Sequence, residues 1–432
     1  MSILENAAGR IGQALEDNKA ERFHYAVTEA ETREFNAENG SFTLYRTLYD
    51  RSFHVTVYQQ DRPGTVAGND LDEENIRNSV EEAMRSAEAA EPDKAWDIAP
   101  FAGEQTFSHG PLEPDTEAFF SRIQELIRKI SSEYPLVQLM LLIAKHVKSR
   151  TLYRNSNGSR FEEQSGHYEV VLEFAGNNGK ETTGLDYTGV LLTDLDQPLI
   201  DCGSIRSHLE NAQAQLSKTT LPEKFTGTVI LTPGCLGEFL YSIVGNYLGD
   251  SVLLDGTSKW KDQLEQKVAD ERFSLSIRPL DPQIACGERF TSSGFVAENM
   301  PLIEDGVLKN FSLSLYAANK TGFAPAKTTD TSFFVAPGDL SLAEMIKNTK
   351  QGLLVGGFSG GSPGANGEFS GVAKNSYYIE DGEIRGAVSE TMINGNLDGL
   401  LRSITAISRE TVADGSSVLP WLAADGIVVS GK

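Results

Sequence analysis

At 432 residues the chain exceeds what one hydrophobic core usually organises, so two domains are expected. Thirty-eight basic against 61 acidic residues leave a net charge of −23, which repels phosphate backbones and anionic lipid and argues against direct nucleic-acid binding. With 40% hydrophobic and 23% charged residues the composition is ordinary globular, and the longest apolar run, Leu136 to Ala144, is far too short to span a bilayer.

Residues 3 to 15 place Ile3, Ala7, Ile11 and Leu15 on one helical face. With Glu5 so early, this start reads as an amphipathic helix, not a signal peptide, and a cytoplasmic location is expected. Phe53–Tyr58 follows as a strand. Asp70 and Glu73 form a capping pair at the head of a second helix, which carries Ile76, Val80, Ala83, Met84 and Ala87 at helical spacing. A third helix, from about Asp115 to Ser132, has Phe119, Ile123, Leu126, Ile127 and Ile130 on its inner stripe. Leu136–Ala144 and Tyr168–Phe174 have the Val, Ile, Tyr and Phe content of half-buried strands.

A helical segment, Ile205–Leu216, runs into the polar, proline-containing stretch 217–224 (SKTTLPEK), the expected domain boundary. Beyond it come a strand, Phe225–Leu231, and two Asp-Gly hairpin signals, Glu304-Asp305-Gly306 and Glu380-Asp381-Gly382. The fold class is therefore α+β. A mixed helix/sheet domain (1–220) is expected ahead of a mainly antiparallel β domain (221–432).

The chemical candidates fail one by one. Cys202, Cys235 and Cys286 are odd in number and contain no C-x-x-C pair, against a disulfide framework or a zinc knot. Cys235 falls near a helix start, where the dipole lowers a thiol pKa, but it has no recognisable His partner and reads as a buried thiol. Gly357-Phe358-Ser359-Gly360-Gly361 matches G-x-S-x-G, yet helix-breaking residues follow the Ser and no His follows His208. The Gly-Lys pairs at 179–180 and 431–432 lack the rest of a phosphate loop. A carboxylate set of Glu238, Asp250 and Asp255 would suit Mg or Ca better than zinc, and scattered acids are the background of so acidic a chain. No catalytic residue and no metal ligand is assigned. The Gly-dense segment Val355–Phe369 admits two readings. One is an open strand edge that accepts an extended peptide; the other is a hairpin loop needing positive φ.

The stretch Gly364–Leu401 resembles the C-terminal signature of the TldD/PmbA family. The pieces that carry the likeness are Gly367-Glu368-Phe369-Ser370, Glu380-Asp381-Gly382-Glu383-Ile384, and Glu390 through Leu397. Asp281-Pro282, Asn299-Met300-Pro301 and Ile303-Glu304-Asp305-Gly306 extend it upstream. Glu368 replaces the family's usual Asp, and Gly371-Val372 replaces its Arg-Gly. The family contains zinc peptidases that bind metal through H-E-x-x-x-H, and metal-free partner subunits. The corresponding segment here, Pro233–Asp250, has no His. His24, His54, His109, His146, His167 and His208 all precede it, and no Cys follows Cys286. The chain is thus similar to the PmbA (TldE) branch.

That resemblance implies a subunit inactive alone that binds no cofactor. Zinc would be supplied by a TldD-like partner in a heterodimer (or the chain would form a homodimer), and unfolded peptides would be degraded or processed. It implies no direct nucleic-acid or membrane contact, the family's "modulator of DNA gyrase" label reflecting an indirect effect. It also nominates Gly356, Gly357, Phe358, Asn366, Gly367, Glu368, Phe369 and Ser370 as a peptide groove. Two alternatives stay open: a stand-alone hydrolase using Cys235 or a carboxylate such as Glu238, and a metal-free homodimeric peptide-binding protein.

Overall fold

The computed structural model describes residues 2–221, 223–329, 331–388 and 391–431, and Glu390 of the signature lies outside them. The chain opens with α1 (Ile3–Asp17), whose Ser2 and Glu5 form a reciprocal capping box. Two long strands, β1 (Arg22–Glu38) and β2 (Ser41–Gln59), form a hairpin, followed by β3 (Arg62–Gly68) and α2 (Glu73–Ala89). The head of α2 differs from the expected pairing, because its N-cap is Asp72. Asp70 instead accepts from Asp72 N at 3.0 Å and Asn75 Nδ2 at 2.5 Å, while Glu73, as the first helical residue, is too early to fold back on the cap. Then come β4 (Glu104–His109), α3 (Thr116–Glu133), β5 (Val137–Asn155), β6 (Arg160–Gly176), β7 (Asp186–Leu192) and α4 (Ile205–Ala214).

These strands make one sheet in the order β3-β2-β1-β5-β6. The first half of β6 then pairs with β4 in parallel, and its second half pairs with β7 antiparallel. Alternation along β1 shows how the sheet is covered. Tyr25, Val27, Phe35 and Ala37 share a face and are all buried. The first pair packs with α1 and α2 (Leu4, Ile11, Ile76, Val80), the second with α3 and α4 (Phe119, Ile123, Leu209). Between them the same face is charged, with Arg51–Glu29 at 3.5 Å and Arg33–Glu31 at 2.8 Å.

The second sheet grows from β8 (Phe225–Leu231), whose predicted ends the structure reproduces, and α5 (Pro233–Ile243), which widens into a π-turn at Val244–Leu248 before α6 (Asp250–Leu254). Next come β9 (Leu275–Ile277), β10 (Met300–Glu304), β11 (Val307–Leu308), α7 (Leu315–Thr321), β12 (Phe333–Val335) and α8 (Leu342–Asn348). The signature region supplies β13 (Gln351–Val355), β14 (Gly357–Ser359), β15 (Glu368–Lys374), β16 (Ser376–Glu380), β17 (Glu383–Val388), β18 (Met392–Asn396) and α9 (Leu397–Arg402). Both Asp-Gly signals form hairpins, β10–β11 and β16–β17. The chain closes with β19 (Ile404–Ala413) and β20 (Val418–Ser430).

β20 is the hub of this sheet, pairing with β8, β12, β18 and β19, and its register shifts between Ala424 and Ile427, around Gly426 at φ 80°. Among the described residues only β8–β13 and β12–β20 are parallel strand pairs in this second sheet, so it is mainly antiparallel and the class is α+β. The two sheets meet at an aromatic seam where Trp96 stacks on Tyr316 at 3.9 Å and Phe290 packs against Tyr153 and Phe161. Among the described residues no helix is long and apolar enough to cross a membrane.

Candidate functional site

After β13 the chain turns at Gly356 and forms the short strand β14, with Phe358 opposite Ala373 of β15. Among the described residues no strand pairs with its other edge. A cleft of about 710 Å³ opens there, and its opposite wall is β7 of the first sheet. Among the described residues β7 pairs only with β6, apart from one bond from Leu191 N to Asp414 O at 2.8 Å. The cleft therefore lies between two strand edges drawn from distant parts of the chain. Gly356 belongs here for a steric reason. A Cβ on it would collide with the Asn375 carbonyl oxygen and come within 3.0 Å of the Asn375 Cβ.

Three polar groups organise the walls. Thr232 caps α5, its hydroxyl accepting from Cys235 N at 3.4 Å, and the helix projects Glu238 toward β14. The Glu238 carboxylate accepts the Phe358 N–H at 3.1 Å, taking the place of a neighbouring strand's carbonyl. Burial pushes the Glu238 pKa up, opposed by that N–H and by Lys374. Across the cleft, the Asp186 carboxylate lies 3.3 Å from His208 Nδ1 and accepts from Asn375 Nδ2 at 3.2 Å, tying β7, α4 and the β15–β16 turn together. A second cavity of about 320 Å³ adjoins, sharing His208, Gly356 and Asn375 with the first and lined by Leu342, Leu354, Tyr377 and Trp421.

The hydrolytic candidates do not assemble. Cys235 is fully buried, and burial together with Glu238 holds its thiol well above the ordinary range, which removes the thiolate a nucleophile needs. Ser359 sits in β14 and is followed by a turn, with no helix to complete an elbow. Asp250 is occupied by Ser314 N at 2.8 Å and Glu238 by Phe358 N. Among the described residues no three His, Cys, Asp or Glu side chains converge to hold a metal. The donors on α5 and the turn after it do not fit zinc: the segment has no imidazole, burial pushes the Cys235 thiol up, and Glu238 and Asp250 already accept from Phe358 N and Ser314 N.

The eight residues nominated for a groove separate in space. Gly356, Gly357 and Phe358 line the cleft. The other five build a lock beside it. Gly367 has φ 79° and sits where a Cβ would strike the Tyr247 hydroxyl. Asn366 Nδ2 donates to Glu368 Oε2 at 3.0 Å, and Glu368 N returns to Asn366 Oδ1 at 3.0 Å. The Asn366 carbonyl accepts from Lys259 Nζ and from Asn396 Nδ2. Phe369 is buried against Phe239 at 5.1 Å, and the Ser370 hydroxyl bonds Asn394. The tail completes the lock: Asn396 caps α9, and Asp398 accepts from Trp260 Nε1 at 3.0 Å and Lys259 Nζ at 3.3 Å. In this chain most of the signature segment is framework, and its glycine exit from β13 faces the cleft.

Sequence reasoning missed Asp186, His208 and Glu238 as cleft residues. No local pattern links Asp186 to Asn375, which are 189 positions apart.

Comparison with known proteins agrees with this architecture. Residues 224–431 match the PmbA/TldA metallopeptidase C-terminal domain, and residues 26–87 match PmbA/TldA metallopeptidase domain 1. Metalloprotease PmbA of Escherichia coli O157:H7 is 25% identical over 455 residues, covering 97% of this chain and 95% of its own. A metalloprotease of Archaeoglobus fulgidus is 24% identical over 403 residues, covering 87% and 89%. The crystal structure of TldE from Thermococcus kodakarensis has the same fold, with a TM-score of 0.83 at 18% identity over 100% of both chains. With two family domains matched over more than half of its residues, the chain belongs to the PmbA/TldD metallopeptidase family.

Proposed function

We propose that this chain is a metal-free, peptide-binding subunit that acts in the cytoplasm with a zinc-bearing TldD-like relative. The observation that carries the reading is the cleft between the β7 and β14 edges, floored by Gly356 and Gly357. Main-chain hydrogen bonding to a strand edge is tolerant of sequence, which suits unfolded peptides of varied composition. The adjoining cavity with Leu342, Leu354 and Trp421 offers a place for one apolar side chain. The His-free α5 segment supports assigning zinc and the hydrolytic base to the partner. Residues 1–220 and 221–432 act as two domains in this reading, and limited proteolysis at 217–224 should release them as folded halves.

The test pairs binding with turnover. A fluorescently labelled unstructured peptide should bind the isolated chain in an anisotropy titration without being cleaved. Cleavage should appear only when an H-E-x-x-x-H-bearing relative from the same genome is added. Hydrolysis by the isolated chain, or no peptide binding in either setting, would sink the proposal.

A further inference from the structure

The cleft between β7 and β14 is lined by charges of both signs, and the two signs are in different states. Among the described residues its acids are Asp186, Glu238 and Asp414, and the chain itself occupies each of them. Asp186 faces His208 Nδ1 at 3.3 Å and accepts from Asn375 Nδ2 at 3.2 Å. Glu238 accepts the Phe358 N–H at 3.1 Å. Asp414 accepts from Ser416 N at 2.8 Å and from Ser417 N at 2.7 Å. The lysines of the same cleft, Lys218 and Lys374, are exposed, and among the described residues neither ammonium makes a hydrogen bond or an ion pair. Lys374 ends β15, in register with Gly357 of β14. Lys218 follows α4 and precedes Thr219, whose N–H bonds the Ala387 carbonyl of β17 at 2.9 Å. Lys374 feels the charge of Glu238 without touching it, and burial favours the neutral form of that carboxyl.

We infer that the cleft selects acidic peptide, a segment whose carboxylates, from Asp or Glu side chains or from a free C-terminus, pair with Lys218 and Lys374. The inference rests on the peptide-cleft reading and adds to it the class of peptide. Charge complementarity chooses the occupant. A cation entering the cleft finds every carboxylate already engaged and must break an existing bond to be paired. A carboxylate finds two ammonium groups that only water holds. On the β7 wall Leu185 is 60% exposed and Tyr187 75%, so an apolar residue between the acids has a surface to cover. The field of the whole molecule opposes this preference, which makes its direction informative. A net charge of −23 by itself draws basic peptide in and repels acidic peptide. The two lysines reverse that order only close to themselves, within a Debye length of about 8 Å at physiological ionic strength.

The experiment is an anisotropy titration of the full chain with labelled, unstructured peptides of one length. Their variable positions are all Glu, all Gln or all Lys, and each peptide is made with a free and with an amidated C-terminus. Carboxylate-bearing peptides should bind at least about tenfold tighter than the amidated Lys peptide. A gain from Glu over Gln in the amidated series assigns the carboxylates to side chains. A gain from the free terminus in the Gln series assigns them to the C-terminus. Raising the salt to about 0.5 M should shrink the preference. Lys218→Gln with Lys374→Gln should erase it, and Lys218→Glu with Lys374→Glu should reverse it. Lys19→Glu with Lys94→Glu, exposed and outside the cleft, makes the same change of net charge as the second pair and should leave the preference in place. Binding without a charge preference, tighter binding of the Lys peptide, or an outer pair that acts as strongly as the cleft pair would each overturn the inference and leave the peptide-cleft reading standing. Failure of every peptide, the Gln one included, would overturn both. Circular dichroism and thermal melts of each variant confirm that changed binding is not lost folding.

Discussion

Two strand edges that stay unpaired among the described residues are finished in different ways. The β14 edge is three residues long, lies in a cleft, and has its outward Phe358 N–H held by the Glu238 carboxylate. The β2 edge is 12 residues long (41–52) and exposed, and it carries Tyr45, Leu48 and Tyr49 with no strand paired to it among the described residues. A short, recessed edge with a displaceable cap suits a ligand that comes and goes. A long exposed one is liable to recruit another strand. An open edge does not by itself identify a binding site; length, recess and what occupies the outward N–H groups decide its use.

The strongest way to break the comparison is at the glycine floor of the cleft. Gly356→Val drives a branched side chain into the Asn375 backbone, and should cost about 3 kcal/mol in denaturant unfolding and abolish peptide binding in the folded fraction. Next comes the buried base of the hairpin whose outer half is bare. Burial and the neighbouring His54 pull the His24 pKa down to about 4 from 6.5, so the fold holds His24 neutral while the unfolded chain protonates it first. Its contribution is present above pH 6.5 and is lost as pH falls from 6.5 toward 4, by about 3 kcal/mol in all. Stability measured against pH should show that slope, and His24→Phe should flatten it; an unchanged slope would falsify the assignment.

The smallest effect sharpens the cleft. Glu238→Ala removes the acceptor from Phe358 N and should cost about 1 kcal/mol of stability, while tightening peptide binding because the edge donor becomes available. Weaker binding in that variant would make Glu238 part of the ligand site instead of its cover.

Much of the fold was legible because local signals and burial agreed. The stripe Phe119, Ile123, Leu126 and Ile130 located α3, the Val- and Ile-rich run at 225–231 located β8, and two Asp-Gly pairs located two hairpins. Strand lengths were not legible. Val137–Ala144 and Tyr168–Phe174 are apolar parts of strands of 19 and 17 residues, whose remainder mixes charged residues such as Lys145, Arg150, Glu162 and Glu163 with the buried Leu152, Tyr153 and Phe161. The Asp70 cap failed for a local reason, since two acids precede the helix and the second occupies the cap while the first ties the turn.

By itself the sequence determined the class of the fold, the family through its C-terminal signature, and the want of His and accessible thiol donors at the α5 segment, because each is carried by residue types in short runs. Only the tertiary structure decided which signature residues face a cleft and which lock β15 to α9, because that depends on contacts such as Lys259 with Asn366 and Asp398, more than 100 positions apart. It also decided which strand edges stay open. An edge is defined by the strand that is not beside it, and no run of residues can encode the position of an absent neighbour.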